Sequence, residues 1–300
     1  MLELRDEACP ACDSRNKKVL GKPGKLSERF RDFLEVDTVH VVRCSDCSAM
    51  YMSPMIYFSD GLQKDLYNIE YFGANGRIMD LKNMDEKKQI LSITQQLAKS
   101  SLKGKTLLDI GCGTGEFLVT ASNLGMVVTG IDVEASITTY IHEKYGFDVL
   151  TGLLNAETFP NKKFDVIVLS HVIEHLQKPL ELLDKIHGAL KDDGLFVMCT
   201  PNTDSLMENV HDIFGRMRHA WSKTYYLAPF ISPYHIIGFN PRSSRRILER
   251  ARFTPIYCEL HSGLKWEDTN RKLIMITIKI AGAILGRGMS LVTVSRKLVH

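Results

Sequence analysis

Apolar residues along this chain keep two alternating rhythms. Short apolar runs at Thr106–Ile110, Val127–Ile131, Phe164–Leu169 and Leu195–Thr200 read as strands buried on both faces, with a further strand near 147–150. Between them, 115–124, 134–144 and Leu182–Leu190 carry apolar residues at helical spacing. A helix from about Asp85 to Ser100 precedes the series, with Ile90, Ile93 and Leu97 on one face. Strands alternating with helices predict an α/β, Rossmann-like, doubly wound and mainly parallel sheet. Phe253–Leu260 and Ser290–Ser295 suit closing antiparallel strands, which makes seven. A helix through Arg250 starts at Asn240-Pro241, with proline at an early helical position.

The rhythm breaks at 203–238. His211, Phe214, Trp221, Tyr225, Tyr226 and Tyr234 make this an aromatic, irregular insertion after the strand at 195–200. It is expected as a substrate lid over the carboxyl ends of the strands, where open α/β sheets bind ligands. Farther on, Lys272–Leu285 is a markedly apolar helix. It is expected to pack on the core or on another subunit, with a membrane-surface or lipid-carrier contact as the alternative.

Chemistry concentrates in Thr106-Leu-Leu-Asp-Ile-Gly-Cys-Gly-Thr-Gly-Glu116. A buried strand ends in Asp109, and Gly111, Gly113 and Gly115 let the backbone bend and approach a ligand closely. A helix N-terminus follows, with free N–H groups facing the crevice. The next strand ends in Asp132, placed to accept hydrogen bonds from both hydroxyls of a ribose. A dinucleotide fingerprint would put its third glycine one residue later, and Glu116 is a poor neighbour for a pyrophosphate. A phosphate-free ligand with a cationic centre fits better, which disfavours a dehydrogenase.

The stretch resembles the D-x-G-x-G-x-G motif of class I S-adenosylmethionine-dependent methyltransferases. Phe164-Asp-Val-Ile167, Glu174-His175-Leu176 and Thr200-Pro201-Asn202 match further parts of that family's pattern, with Asp192-Asp193 where Pro-Gly is commoner. The resemblance implies that Asp109 and the loop Gly111, Cys112, Gly113 and Gly115 hold the methionine portion, and that Asp132 holds the ribose. Leu153 and Leu154 would flank the adenine, and Ser170 and His171 would lie beside the sulfonium. Where the family often places an acid on the adenine amine, this chain has Leu153.

Seven cysteines divide into two groups. Cys9-x-x-Cys12 and Cys44-x-x-Cys47 are two knuckles that can each offer a pair of thiolates to one structural zinc ion. Cys112, Cys199 and Cys258 are expected as small core hydrophobes. The knuckles frame a zinc ribbon over residues 1–56, with hairpin strands at Val39–Arg43 and Ala49–Met52. Arg15, Lys17, Lys18, Lys22 and Lys25 are expected in a solvated loop between them. Residues 57–102 form a helical lead-in, and 103–300 the core. The knuckle followed by Tyr51, Ser53-Pro54 and Tyr71-Phe72 resembles one methyltransferase subgroup with an N-terminal zinc ribbon, many of whose members act on sugars or secondary products. The glycine common after the fourth ligand is Ser48 here. By that resemblance Tyr71 would cover the cofactor.

Two histidines are candidates for removing a proton from an acceptor hydroxyl: His175 at the start of the segment after 164–169, and His235 at the lid's exit. The acceptor is expected to be a small molecule, a sugar hydroxyl or a nucleotide- or lipid-linked sugar. O-transfer is favoured over C-transfer because the zinc-ribbon sugar C-methyltransferases usually carry an extra C-terminal domain. The alternatives are an RNA methyltransferase gripping RNA through the ribbon, and a cofactor-binding scaffold without turnover. A net charge of +3 does not argue for nucleic acid. No N-terminal signal sequence or spanning segment is read, and a cytoplasmic setting is expected.

Overall fold

In the computed structural model, Leu107, Leu108, Ile167, Val168, Phe196 and Val197 are essentially free of solvent, as strands covered on both faces require. The structure describes residues 2–23, 38–58, 84–155, 157–160, 162–210, 235–261, 277, 280–282 and 284–298. Tyr71, Lys25, the middle of the expected lid (211–234) and most of 272–285 lie outside the described residues.

The N-terminal strands are β1 (Leu2–Arg5), β2 (Lys17–Gly21), β3 (His40–Cys44), β4 (Met50–Ser53) and β5 (Met55–Phe58). Then follow α1 (Met84–Ala98), β6 (Thr106–Ile110), α2 (Glu116–Asn123), β7 (Val127–Asp132), α3 (Ala135–Tyr145), β8 (Asp148–Thr151) and β9 (Phe164–Ser170). The rest are α4 (Pro179–Ala189), β10 (Leu190–Pro201), β11 (Ile237–Gly238), α5 (Pro241–Arg250), β12 (Phe253–His261) and β13 (Ser290–Lys297).

The main sheet has seven strands in the order β12-β13-β10-β9-β6-β7-β8. From β10 to β8 neighbours are parallel, while β13 runs antiparallel to both β10 and β12. Parallel neighbours need crossovers, and α2, α3 and α4 supply them. Period-two alternation divides the core between the faces. Leu107, Val166 and Val197 pack with Ile90 of α1, Phe117 of α2 and Ile137 of α3. Leu108, Ile167 and Phe196 pack with Leu183 of α4 and Ile247 of α5, in a cluster that continues into Val41, Tyr51 and Met52 of the N-terminal strands.

Two small sheets complete the molecule: β1 with β5, and four strands in the order β11-β4-β3-β2. Lys17 and Lys18 belong to β2, paired with Cys44 and Arg43, not to a loop. The expected hairpin is β3 with β4, in the register Val41↔Met52. The fourth member of that sheet, β11, comes from far along the chain: Ile237 pairs with Tyr51 and Gly238 with Met50. The end of the expected lid is thus a strand of the N-terminal sheet. Cys258 also departs from expectation. It is exposed, because β12 is an edge strand whose alternate residues face outward. The helix expected at 182–190 starts earlier, with Pro179 in its first turn. At the end of 272–285, Ile280, Ile284 and Leu285 are 45%, 80% and 63% exposed, so these side chains do not pack into the core. Among the described residues no helix is long and apolar enough to cross a membrane.

Candidate functional site

One cavity of about 540 Å³ opens at the carboxyl ends of β6, β7 and β9. Gly111, Gly113 and Gly115 all adopt positive φ, 70°, 49° and 88°. At Gly111 the requirement is steric as well as torsional. A Cβ there would lie 2.4 Å from Val172 Cγ2. Gly115 stands at the N-cap of α2; it shapes the turn and is not among the residues lining the cavity.

Asp132 is fixed by the turn it faces. Its Oδ2 accepts from Gly113 N at 3.0 Å and its Oδ1 from Glu134 N at 3.1 Å. Burial raises its pKa, against the pull of these backbone N–H groups. Asp109 is fully buried and its Oδ1 has no hydrogen-bond partner. Burial pushes its carboxyl up to about 8; Lys87 opposes this, while Glu116 and Asp132 add to it.

Of the residues expected to hold a cofactor, Asp109, Gly111, Cys112, Gly113, Asp132, Leu153, Leu154, Ser170 and His171 line this one cavity. Leu153 is 64% exposed whereas Leu154 is buried, so the pair is split between rim and core. His175 lines the cavity too, whereas His235 does not. The two imidazoles meet edge to face with centroids 4.7 Å apart.

Beneath them sits Glu174, 1% exposed. Its Oε2 accepts from Thr200 Oγ1 at 3.2 Å, and its Oε1 lies 3.3 Å from His171 Nδ1. Burial alone would raise its pKa. The hydrogen bond and charge of His171, with the charges of His175 and His235, outweigh burial and hold it below the usual carboxylate range. His171 takes φ 55°, a left-handed backbone, and its N–H donates to Cys199 O. The strap at 235–238, which carries β11, locks the group through its backbone: Ile236 N donates to Glu174 O at 2.9 Å, and Ile236 O accepts from Met52 N of β4 at 3.0 Å.

The cysteines form a second centre. Cys9 and Cys47 Sγ are 3.5 Å apart, as are Cys12 and Cys44 Sγ, and all four thiols lie within 4.8 Å of one another. Tetrahedral zinc with bonds of about 2.3 Å needs sulfurs about 3.8 Å apart, so the donor set fits that ion with little movement. Both knuckles have the same turn, with Asp13 and Ser48 after the second cysteine at φ 65°. The cysteine-bearing N-terminal sheet is held to the core by Arg43–Asp204 and by Asn240, whose Nδ2 donates to Ser48 O and Asp204 Oδ2.

Sequence reasoning missed Lys87, a cavity-lining residue 7% exposed. The signal was there: Lys87 lies three and four positions before Ile90 and Leu91, on the apolar face of α1. It also missed the strap, whose β11 pairs with β4 although 186 residues separate Ile237 from Tyr51.

The model of a methyltransferase-domain family matches residues 82–257. A protein of Actinobacillus pleuropneumoniae serotype 5b named ubiquinone biosynthesis O-methyltransferase is 31% identical over 181 residues, 55% of this chain and 76% of that one. One of the same name from Glaesserella parasuis is 32% identical over 113 residues, 34% of this chain and 48% of that one. The match thus spans about half the length of the latter. Among solved structures, Burkholderia thailandensis 1,6-didemethyltoxoflavin-N1-methyltransferase, with 1,6-didemethyltoxoflavin and S-adenosylhomocysteine bound, shares the fold. The TM-score is 0.54 at 15% identity, over 93% of this chain and 100% of that one.

Proposed function

The chain belongs to the methyltransferase-domain family, and from that premise we propose that it moves a methyl group from S-adenosylmethionine to the hydroxyl of a small molecule. The observation that carries the donor is the charge around the glycine turn. Asp109, Glu116 and Asp132 line the cavity there with Lys87, while Lys178 and Lys185 belong to the stretch of the lining that follows His175. A pyrophosphate would face three carboxylates, whereas a sulfonium with an α-ammonium group is attracted by them.

The donor carries its own activation, so the protein's task is alignment, exclusion of water and removal of the acceptor's proton. In the displacement the acceptor oxygen bonds to the methyl carbon as the sulfur–methyl bond breaks, its electron pair staying on sulfur. His175, which faces the cavity, takes the hydroxyl proton. Glu174 stabilises the resulting imidazolium, and His235 packs against the ring to hold its orientation. Cys9, Cys12, Cys44 and Cys47 would hold a zinc ion in a structural role, four thiolates leaving it no part in the chemistry.

The names of the relatives support O-transfer. The sugar hydroxyl rests on the resemblance to the zinc-ribbon subgroup. Isothermal titration with S-adenosylhomocysteine and with NAD tests the donor: binding of the first alone is expected, and binding of NAD alone would end this reading. A labelled-methyl screen over nucleotide sugars, lipid-linked glycans, hydroxylated aromatic compounds and RNA then finds the acceptor. With it, His175→Ala should lower kcat by about 10²- to 10⁴-fold and leave S-adenosylhomocysteine affinity unchanged.

One observation favours another way of removing the proton. Glu174, His175 and His235 carry donor atoms within 4.8 Å of one another, a set that suits a divalent cation. Turnover that rises with added Mn²⁺ or Mg²⁺ would select it; turnover indifferent to them selects the imidazole.

A further inference from the structure

The hydroxyl of Tyr51 is buried and meets no hydrogen-bond partner among the described residues. A donor left unmet inside a protein is costly, so such a group needs a reason. Tyr51 sits within the N-terminal sheet. On β4 it pairs with Val42 of β3 on one side and with Ile237 of β11 on the other. It packs in the same cluster as Cys9, Cys44 and Cys47. Burial raises its pKa, and the charges of Cys9, Cys44 and Cys12 add to the rise. The phenol is thus a protonated donor beside the sulfurs, with no acceptor.

A second observation concerns α5. Arg242, Arg245, Arg246 and Glu249 recur at helical spacing and line a crevice of about 540 Å³. Cys12 and Cys47, one sulfur from each knuckle, line the same crevice together with Asp46. Ser243, Ser244, Ile247 and Leu248 are buried on the opposite face, which fixes the helix. Arg246 lies 3.7 Å from Glu249, and Asp46 Oδ2 accepts from Ser14 Oγ and Asn16 Nδ2. Arg242 and Arg245 form no ion pair among the described residues. Two guanidinium groups therefore share the crevice with the sulfurs and have no carboxylate of their own.

We infer that Tyr51, Arg242 and Arg245 hold the four-cysteine centre in its metal-loaded form, the phenol donating to a thiolate sulfur and the two guanidinium groups balancing the charge. The inference rests on the zinc reading above and extends it to residues outside the knuckles. As thiols the sulfurs satisfy one another, Cys9 with Cys47 and Cys12 with Cys44. Zinc displaces the thiol protons to water, and the bound thiolates then accept hydrogen bonds without donating any. A zinc ion with four thiolates also carries two surplus negative charges, which the two uncommitted guanidinium groups match. A phosphate in the crevice would instead meet Asp46, Glu249 and two of the sulfurs, so it is the poorer occupant. Both supports adjoin the strap: Tyr51 pairs with Ile237, and α5 is capped by Asn240 just after β11.

The test measures zinc affinity of the full-length protein by competition with a chromophoric chelator. It is run in low salt and in about 1 M KCl, where the screening length falls to about 3 Å. Tyr51→Phe should weaken zinc binding about 10- to 100-fold in both, the range for a group that supports a metal ligand. In metal-free protein the same change should not lower the melting temperature, since it removes an unmet donor. Combined Arg242→Gln and Arg245→Gln should weaken zinc binding about two- to tenfold in low salt and match wild type in high salt. Wild-type affinity in Tyr51→Phe, or an equal drop in melting temperature with and without zinc, overturns the role of the phenol. Unchanged affinity of the double arginine variant in low salt overturns the counter-charge, and these exposed positions keep that test open if Tyr51→Phe fails to fold. A melting temperature of zinc-loaded protein that rises with inorganic phosphate, and only while both arginines are present, also overturns it and makes the crevice an anion site. Wild-type protein that takes up no zinc ends the zinc reading itself, and the inference with it.

Discussion

Two fully buried carboxylates differ in their relation to the cavity, Asp109 within its lining and Glu174 behind the lining residues His171 and His175, and their environments push them in opposite directions. Asp109, on the proposed donor side, meets no cation at contact distance among the described residues, and burial raises it to about 8. Glu174, on the acceptor side, is ringed by His171, His175 and His235 and is held low despite equal burial. In the proposed assignment the donor half leaves its electrostatics for a ligand to complete, whereas the acceptor half is completed by the protein's own histidines. Their construction differs in the same way. Gly113 and Asp132 bond across 19 residues within one strand–helix–strand unit. The acceptor half depends on contacts across most of the chain, such as Asn240 with Ser48 at a separation of 192. A local unit enforced by backbone geometry should fail abruptly, and a docked assembly gradually.

The sharpest way to break this comparison is at Gly111. A methyl group there would lie 2.4 Å from Val172 Cγ2 on a backbone at φ 70°. Gly111→Ala is expected to abolish S-adenosylhomocysteine binding and to lower stability by about 2–4 kcal/mol, combining a left-handed residue with a steric clash. Calorimetry and denaturant unfolding measure both. Adding Val172→Ala should return only the steric part. Full recovery would mean that the torsion is not what the turn requires.

A smaller effect is expected from the ribbon. Cys47 precedes Ser48, whose carbonyl is tied to Asn240, and β4 carries the strap through Met52. Cys47→Ser should loosen the strap, seen as at least tenfold faster hydrogen exchange at the Ile236 amide, because losing one thiolate of a structural site costs folding free energy. Donor affinity should change less than about threefold. If S-adenosylhomocysteine binding falls as steeply as Ile236 protection, the two halves are not independent and the contrast drawn here is wrong.

These regions also differ in how far the sequence reveals them. The spacing of apolar runs locates β6, β7 and β9 to within a residue, since buried parallel strands and their glycine turn are encoded locally. Asp109 and Asp132 follow from their place at the ends of those strands. Lys87 was hidden because an apolar helix face is read for its hydrophobes, and a lysine on it passes for a solvated neighbour. Lys17 and Lys18 look like loop residues by charge, yet β2 is an exposed edge strand where lysine side chains are tolerated. The pairing of Ile237 with Tyr51 has no local signal, because two residues suffice for the strand and its partner lies far away in the sequence.

The finest discrimination between the halves is the pH dependence of stability. Asp109 has a folded pKa of about 8 against an ordinary 3.8, so between those values the folded protein binds more protons than the unfolded chain. Its contribution to stability is therefore present at low pH and is lost as pH rises toward 8. Glu174 has the opposite sign: its folded pKa is lowered, so its contribution is present above the ordinary range and is lost as pH falls through the folded value. Asp109→Asn should accordingly raise the melting temperature of ligand-free protein more at pH 8.5 than at pH 5, by a few degrees, and flatten the slope between them. Glu174→Gln should lower it at pH 6, above the ordinary carboxylate range, where the contribution of the ionised carboxylate is present. Donor binding supplies an internal check. Capture of the ligand's ammonium requires ionised Asp109, so binding at pH 7 should release a proton, detected as a dependence of the binding enthalpy on buffer ionisation enthalpy. That release should vanish in Asp109→Asn and persist in Glu174→Gln. Persistence in both would assign the proton to another group and remove Asp109 from the donor's head-group site.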